Sequence, residues 1–369
     1  MRRYSRILKF LLIPTSCLIA WLMTEAVLYF VRPQPILMPS YMSFDPQMGM
    51  ILAPGLHSKY YNGPFRYHYT HTAQGFRDAG PTAPGAPPLQ TVLILGDSYT
   101  YGVYVEDDET FAALLQHQWR VMGKPIKVLN AAVPGTGTDY ALRLLRTRLS
   151  TEQPKSILLF FHNSDFQDNQ REEYMRAQGD QIVLAPLPEG LYKKTQFLRK
   201  SRLYNWLLSW SQVANMMKKQ FFSIMRKKAG RLGSMQDMVE SYDPRRSPHG
   251  YTICSDPANI ALTEKMVEAV SLEAKRRHAY FEIFYVPNRE MVTYFQSTGL
   301  LSEDELALRA IVRKHAIPFA SLTPFFAASQ KPMDAIYLPN ETHWGTGGHR
   351  LVAEFVLQEL ARHPESKTP

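Results

Sequence analysis

The stretch that most restricts what this chain can fold into runs from Thr91 to Gly102. Val92 to Leu95 make an apolar run of strand length, read as a buried strand, and Gly96 breaks it at its carboxyl end. Ligands of open α/β sheets bind at that edge, so Asp97 and Ser98 fall where chemistry is usually done. A serine at such a turn can expose its Oγ and leave its own N–H facing a developing oxyanion. The same residues also suit an ordinary strand-to-loop turn. What favours chemistry is a second stretch far downstream, Glu341 to His349, which sets His343 ahead of three glycines.

Around the first strand the pattern alternates. Strands are expected at 92–95, 126–129, 156–161, 280–286 and 317–322, with helices near 108–122, 139–149 and 351–361. Asp107, Asp108 and Glu109 would fill the favourable end of the first helix. Strands spaced by helices imply an α/β fold with a parallel sheet and helices on both faces.

The amino terminus is of another kind. Four basic residues lie within residues 1–9, and the apolar run from Phe10 to Val31 is broken only by Glu25. Those 22 residues would form a helix of roughly 33 Å, enough to cross a bilayer. Bulky Trp21, Leu28, Tyr29 and Phe30 offer no cleavage site, so the segment reads as a transmembrane anchor. Basic residues cluster before it and only Arg32 stands just after, which predicts a cytoplasmic amino terminus and a periplasmic or otherwise extracytoplasmic body. Of the two cysteines Cys17 lies in the anchor and Cys254 has no partner in the body, so no internal disulfide framework is expected.

Residues 1–32 are thus read as cytoplasmic tip and anchor, 33–90 as a Pro-, Met- and Tyr-rich stalk and extension, and 91–169 with 256–363 as the α/β domain. Residues 170–255 interrupt that domain. Within them, Lys193 to Leu232 hold eleven Lys or Arg and no Asp or Glu, whereas the whole chain is +9. Aromatic and aliphatic residues interleave with the charges, which predicts amphipathic helices. These would lie either on an anionic membrane face or over the domain as a cap. Nucleic acid is not an expected partner of a body outside the cytoplasm.

An acyl-transfer site needs a nucleophile, a base, a group that orients the base, and oxyanion donors. Ser98 is the candidate nucleophile and His343 the candidate base; Glu341 can orient it as a carboxylate and Asn340 only as a neutral group. Gly135 offers a backbone N–H at the end of the second strand, and Asn163 an amide at the end of the third. His68 and His71 lack a third ligand partner and are read as surface or packing residues. No metal- or nucleotide-binding motif is present, so no cofactor is expected.

Gly96-Asp97-Ser98, the Asn130 to Gly135 stretch, the Asn163 to Asp165 stretch and the His343 loop resemble, in order, the four blocks of the SGNH/GDSL hydrolase superfamily. Gln74 to Asp78 and Gly348 to Ala353 also resemble its membrane-anchored bacterial members. The resemblance implies a flavodoxin-like three-layer α/β/α sandwich. It also implies Ser98 as nucleophile, His343 as base, and an oxyanion hole of the Ser98 and Gly135 N–H groups with the third-block asparagine. Two blocks depart from the pattern: Ser164 stands where the asparagine is usual, with Asn163 one place earlier, and Asn340 and Glu341 stand where an aspartate is usual. The function implied is an esterase acting on acylated carbohydrate or envelope esters. An O-acetyltransferase and a catalytically weakened binding or assembly subunit are the alternatives.

Overall fold

Buried on both faces, a parallel strand has no reason to alternate apolar with polar residues, and the central strands of this protein do not. In the computed structural model, residues 2–32, 34, 36–38, 41–62, 65–83, 90–171, 174–179, 181–187, 201–228, 256–339 and 342–362 are described. Helix α1 (Arg2–Val31) leads into β1 (Ile36–Met38), β2 (Met42–Asp45), β3 (Gly49–Leu52), β4 (His57–Asn62) and β5 (Phe65–Thr70). Then come β6 (Gln90–Leu95), α2 (Ser98–Tyr101), α3 (Phe111–Val121), β7 (Ile126–Asn130), α4 (Thr138–Arg146), β8 (Ser156–His162) and α5 (Asp165–Arg171). The interruption contributes β9 (Met175–Gln178), β10 (Gln181–Leu184), α6 (Arg202–Leu208) and α7 (Gln212–Lys228). The domain resumes with α8 (Pro257–Arg276), β11 (Tyr280–Val286), α9 (Arg289–Thr298), α10 (Glu303–Lys314), β12 (Phe319–Ser321), α11 (Leu322–Ala328), α12 (Met333–Ile336) and α13 (Thr346–Arg362).

The five central strands lie in the order β12-β11-β8-β6-β7, every neighbouring pair parallel. In their own sequence order this is 2-1-3-4-5 read from β7, the flavodoxin-like arrangement, whose chain reversal lies between β6 and β8. Side chains of successive residues go to opposite faces. Leu93, Leu95, Ile157, Leu159 and Phe161 pack with α4, α8 and α10, while Val92, Ile94, Leu158 and Phe160 pack with α3, α11 and α13. Two apolar layers therefore grip the sheet.

Four features differ from expectation. Asp107–Glu109 form a separate one-turn 3-10 helix, and α3 begins after Thr110, whose hydroxyl caps it by accepting from Ala113 N–H. Residues 41–52, read as stalk, join the body: Met48 and Leu52 are fully buried in the layer that holds Leu93. The interruption re-enters the fold at β9 and β10, where Met175 and Ile182 are core residues. Helix α13 begins at Thr346, five residues before the expected start, although two poor helix formers, Gly347 and Gly348, lie in its first turn.

Those glycines are there for space. A Cβ at Gly347 would lie 2.0 Å from the carbonyl oxygen of Ala335, and one at Gly348 would lie 2.4 Å from that of Ile336 and 2.8 Å from Trp344 Cβ. Nearby Gly345 is different, since its Cβ would meet nothing closer than 3.5 Å. Gly348→Ala is therefore expected to cost roughly 1–3 kcal/mol of stability, as overpacking does. Gly345→Ala should stay within about 0.5 kcal/mol. Denaturant melts of the two variants make the comparison, and equal midpoints would contradict the close approach.

Candidate active site

The turn after β6 is built for a tight reversal. Gly96 has φ +156°, and a Cβ there would sit 2.3 Å from Thr100 Oγ1 and 3.0 Å from the Phe160 carbonyl oxygen. Asp97 caps α2 through Oδ1, which accepts from Tyr99 N–H at 2.9 Å. Ser98 is thus the first residue of a helical turn, where the helix itself has no acceptor for its N–H. The turn after β7 is tied to it, with Val133 N–H on the Gly96 carbonyl at 3.1 Å and Asn130 Nδ2 on the Thr100 carbonyl at 3.0 Å. Gly135 follows in that turn at φ +77°, a conformation that disfavours any side chain.

His343 arrives from the far end of the chain in the short loop between α12 and α13. Tyr337 and Trp344 form an antiparallel bridge across that loop, Leu338 N–H donates to the His343 carbonyl at 2.9 Å, and Gly345 N–H donates to Ile336 at 2.8 Å. Fully buried Trp344 anchors it in the core. The outcome is a 2.8 Å contact between His343 Nε2 and Ser98 Oγ. That distance suits proton transfer from a serine to an imidazole. Asn340 and Glu341 lie outside the described residues.

Tyr99, beside the serine, reaches back to the histidine. Its hydroxyl donates to the Thr342 carbonyl at 2.7 Å, and its ring lies between those of His162 (4.6 Å) and His343 (4.7 Å). His162 is fully buried and accepts on Nδ1 from Ser164 N–H at 3.3 Å, with Ser164 Oγ 3.0 Å from the same nitrogen. Burial, reinforced by the charge of His343, pushes its pKa down to about 3, so it is neutral near pH 7. Its 3.8 Å approach to Asp97 is therefore no ion pair. Asp97 itself is pushed up to about 7 by burial, against the opposing pull of His343 and of its N–H donors. Asp165, which accepts from Thr138 Oγ1 at 2.7 Å, is raised too, by burial and then by Asp97.

The Asn163 amide takes a different direction. Its Nδ2 donates at 2.9 Å to Asp304, buried at the start of α10. Ser164, one place on, stays with His162. Among the other histidines, His71 is buried between the Ala53 carbonyl (3.0 Å) and Tyr101 OH (2.9 Å), and His68 meets Glu106 at 3.0 Å. Among the described residues no group of three or more His, Cys, Asp or Glu is placed to hold a metal ion.

With that geometry in view, known proteins can be compared. The thioesterase 1/protease 1/lysophospholipase L1 of Escherichia coli strain K12 is 30% identical over 95 residues, which are 25% of this chain and 44% of that protein. This chain thus spans less than half the length of that relative. Among solved structures, TesA aligns over 74% of this chain and 99% of its own, at 13% identity and TM-score 0.41. A lipolytic G-D-S-L protein from Desulfitobacterium hafniense aligns over 73% and 98%, at 10% identity and TM-score 0.40. No family model matches the chain.

Tyr99 and His162 escape a reading by motif. The first is hidden because the GDSL signature directs attention to the serine, the second because it ends an apolar strand. Tyr99→Phe removes one hydrogen bond to the loop that carries His343, worth about 1 kcal/mol, or roughly fivefold in rate if all of it is felt at the serine. The measured quantity is the rate at which Ser98 reacts with a fluorophosphonate. A slower reaction at an unchanged melting temperature is expected, and an unchanged rate would mean that the loop holds itself.

Proposed function

We propose that this chain is a membrane-anchored serine esterase whose body lies outside the cytoplasm. The observation that carries the reading is the 2.8 Å contact between Ser98 Oγ and His343 Nε2 at the carboxyl edge of the sheet. The likeness to the Escherichia coli relative supports the same chemistry, since its name includes thioesterase and lysophospholipase, both acyl-ester hydrolases. The helix Leu12–Val31, long and apolar enough to cross a membrane, supports the anchor, and the basic residues ahead of it support a cytoplasmic amino terminus.

The reaction runs in two halves. Ser98 Oγ attacks the ester carbonyl as its proton passes to His343 Nε2, and the oxyanion is held by the N–H groups of Ser98 and Gly135. Collapse expels the alkoxide, which takes the proton from His343 and leaves an acyl-Ser98 ester. Water, deprotonated by His343, then releases the acid. Glu341 serves as the carboxylate that steadies the imidazolium, and a small acyl group on a carbohydrate or envelope component is the substrate class. A sugar hydroxyl in place of that water would make the same site an O-acetyltransferase.

A binding subunit with weakened catalysis is the second reading, favoured by the Asn163 amide being engaged with Asp304. Hydrolysis of a short-chain aryl ester separates the two. Ser98→Ala and His343→Ala should each abolish it, Glu341→Gln should cost on the order of 10² or more, and Asn340→Ala much less. Asn163→Ala should reduce stability more than turnover, because a working oxyanion donor would cost about 10²–10³. Wild-type protein that neither hydrolyses the ester nor takes up a fluorophosphonate on Ser98 supports the binding subunit.

A further inference from the structure

Glu25 is the one acidic residue in the apolar span, and the structure gives it partners. Its carboxylate accepts from the Ser211 hydroxyl, from Gln212 N–H at 2.6 Å and from Val213 N–H at 3.3 Å. These are the donors at the start of α7, so a carboxylate of the anchor caps a helix of the basic interruption. Helix amino termini favour such a charge, and a carboxylate inside a span needs such donors. Glu25 lies six residues before Val31, about 9 Å short of the end of the span at 1.5 Å per residue. The start of α7 is therefore held at a depth below the point where α1 leaves the apolar region.

What α6 and α7 turn outward fits that depth. Leu203, Trp206 and Trp210 are 72%, 58% and 41% exposed, and Met217, Phe221 and Ile224 are 58%, 48% and 53% exposed. The last three, spaced by four and three, share one face of α7. Trp206 and Trp210 meet edge to face at 5.5 Å, and tryptophans of this kind favour the membrane–water boundary. A cap over the active domain would bury these side chains against it, and it does not. Exposed Arg202 and Lys219 add the charge that attracts lipid phosphate, in a stretch without acidic residues.

We propose that α6 and α7 are seated at the headgroup–acyl boundary of the leaflet that the end of α1 leaves, with the phospholipid bilayer as their partner and Glu25 as the latch. The body is then tethered at two places, the span and this helical pair, which holds it close to the membrane. On the topology of the proposed function, that leaflet is the outer one.

Tryptophan quenching by lipids brominated high in the acyl chain tests this on the full chain reconstituted in phospholipid vesicles. A Trp21→Phe background removes the tryptophan of the span, and Trp119 and Trp344 are core residues at 4% and 0% exposure. Brominated lipid should then lower the emission, and the further Trp206→Phe, Trp210→Phe pair should remove that loss while hydrolysis of a soluble aryl ester stays unchanged. Glu25→Ala should reduce the quenching. Emission that brominated lipid leaves untouched, with hydrolysis intact, would overturn the proposal and leave the esterase reading standing. Quenching that Glu25→Ala does not change would overturn the latch and with it the proposal as stated.

Discussion

A hydrogen bond between residues 245 apart in sequence, Ser98 and His343, is the contact on which the rest of this structure bears. Neither residue is held by its own local preferences alone. The serine is placed by a glycine turn that only a residue without Cβ can make under Thr100. The histidine is placed by the close packing of α13 on α12, by the Tyr337–Trp344 bridge and by the Tyr99 hydroxyl on Thr342. The parallel sheet supplies the common frame. Strand β8 runs three residues past its last pair with β6, Leu95↔Leu159, and so carries His162 beside the serine turn.

Polar side chains are buried behind the site, and two of them tie distant segments together. Arg77, with no exposure, lies 4.5 and 4.7 Å from the ring centroids of Tyr69 and Tyr101 and 2.9 Å from an Asp107 oxygen. It joins the segment ahead of the sheet to the helix that follows the serine. His349, at the start of α13, accepts from Phe111 N–H at 3.2 Å and so ties the last helix to α3. Burial forces its pKa down to about 3, which keeps it an acceptor rather than a cation. Such groups make the frame specific, because a one-residue displacement would leave them without partners in a dry interior.

The central sheet was legible in the sequence because long apolar runs such as Ile157 to Phe161 have few other uses in a chain of this composition. Ser98 could be set at the edge of the sheet because it follows such a run directly, whereas His343 lies 22 residues beyond the last strand and meets the serine only through the fold. What stayed hidden has physical causes. Gly347 and Gly348 argue against a helix locally, and only the carbonyl oxygens of Ala335 and Ile336 explain them. Met48 lies in the turn between β2 and β3 and Leu52 at the end of β3, amid prolines and tyrosines, so their burial comes from tertiary packing rather than periodicity. The direction of the Asn163 amide depends on Asp304, 141 residues away. The Glu25 cap is likewise a long-range pairing, and an acidic residue in a span announces a need for donors without naming them.

The account rests on Ser98 becoming acylated, and that intermediate can be seen directly. Rapid mixing of the protein with an activated aryl ester should give a burst of phenol equal to the enzyme concentration, as an accumulating acyl-enzyme does. Acid quenching during the burst, followed by peptide mass analysis, should find one acyl group on the peptide that contains Ser98, and none in a His343→Ala protein. Steady hydrolysis with no burst and no acylated peptide, or an acyl group on another residue, would contradict the central claim.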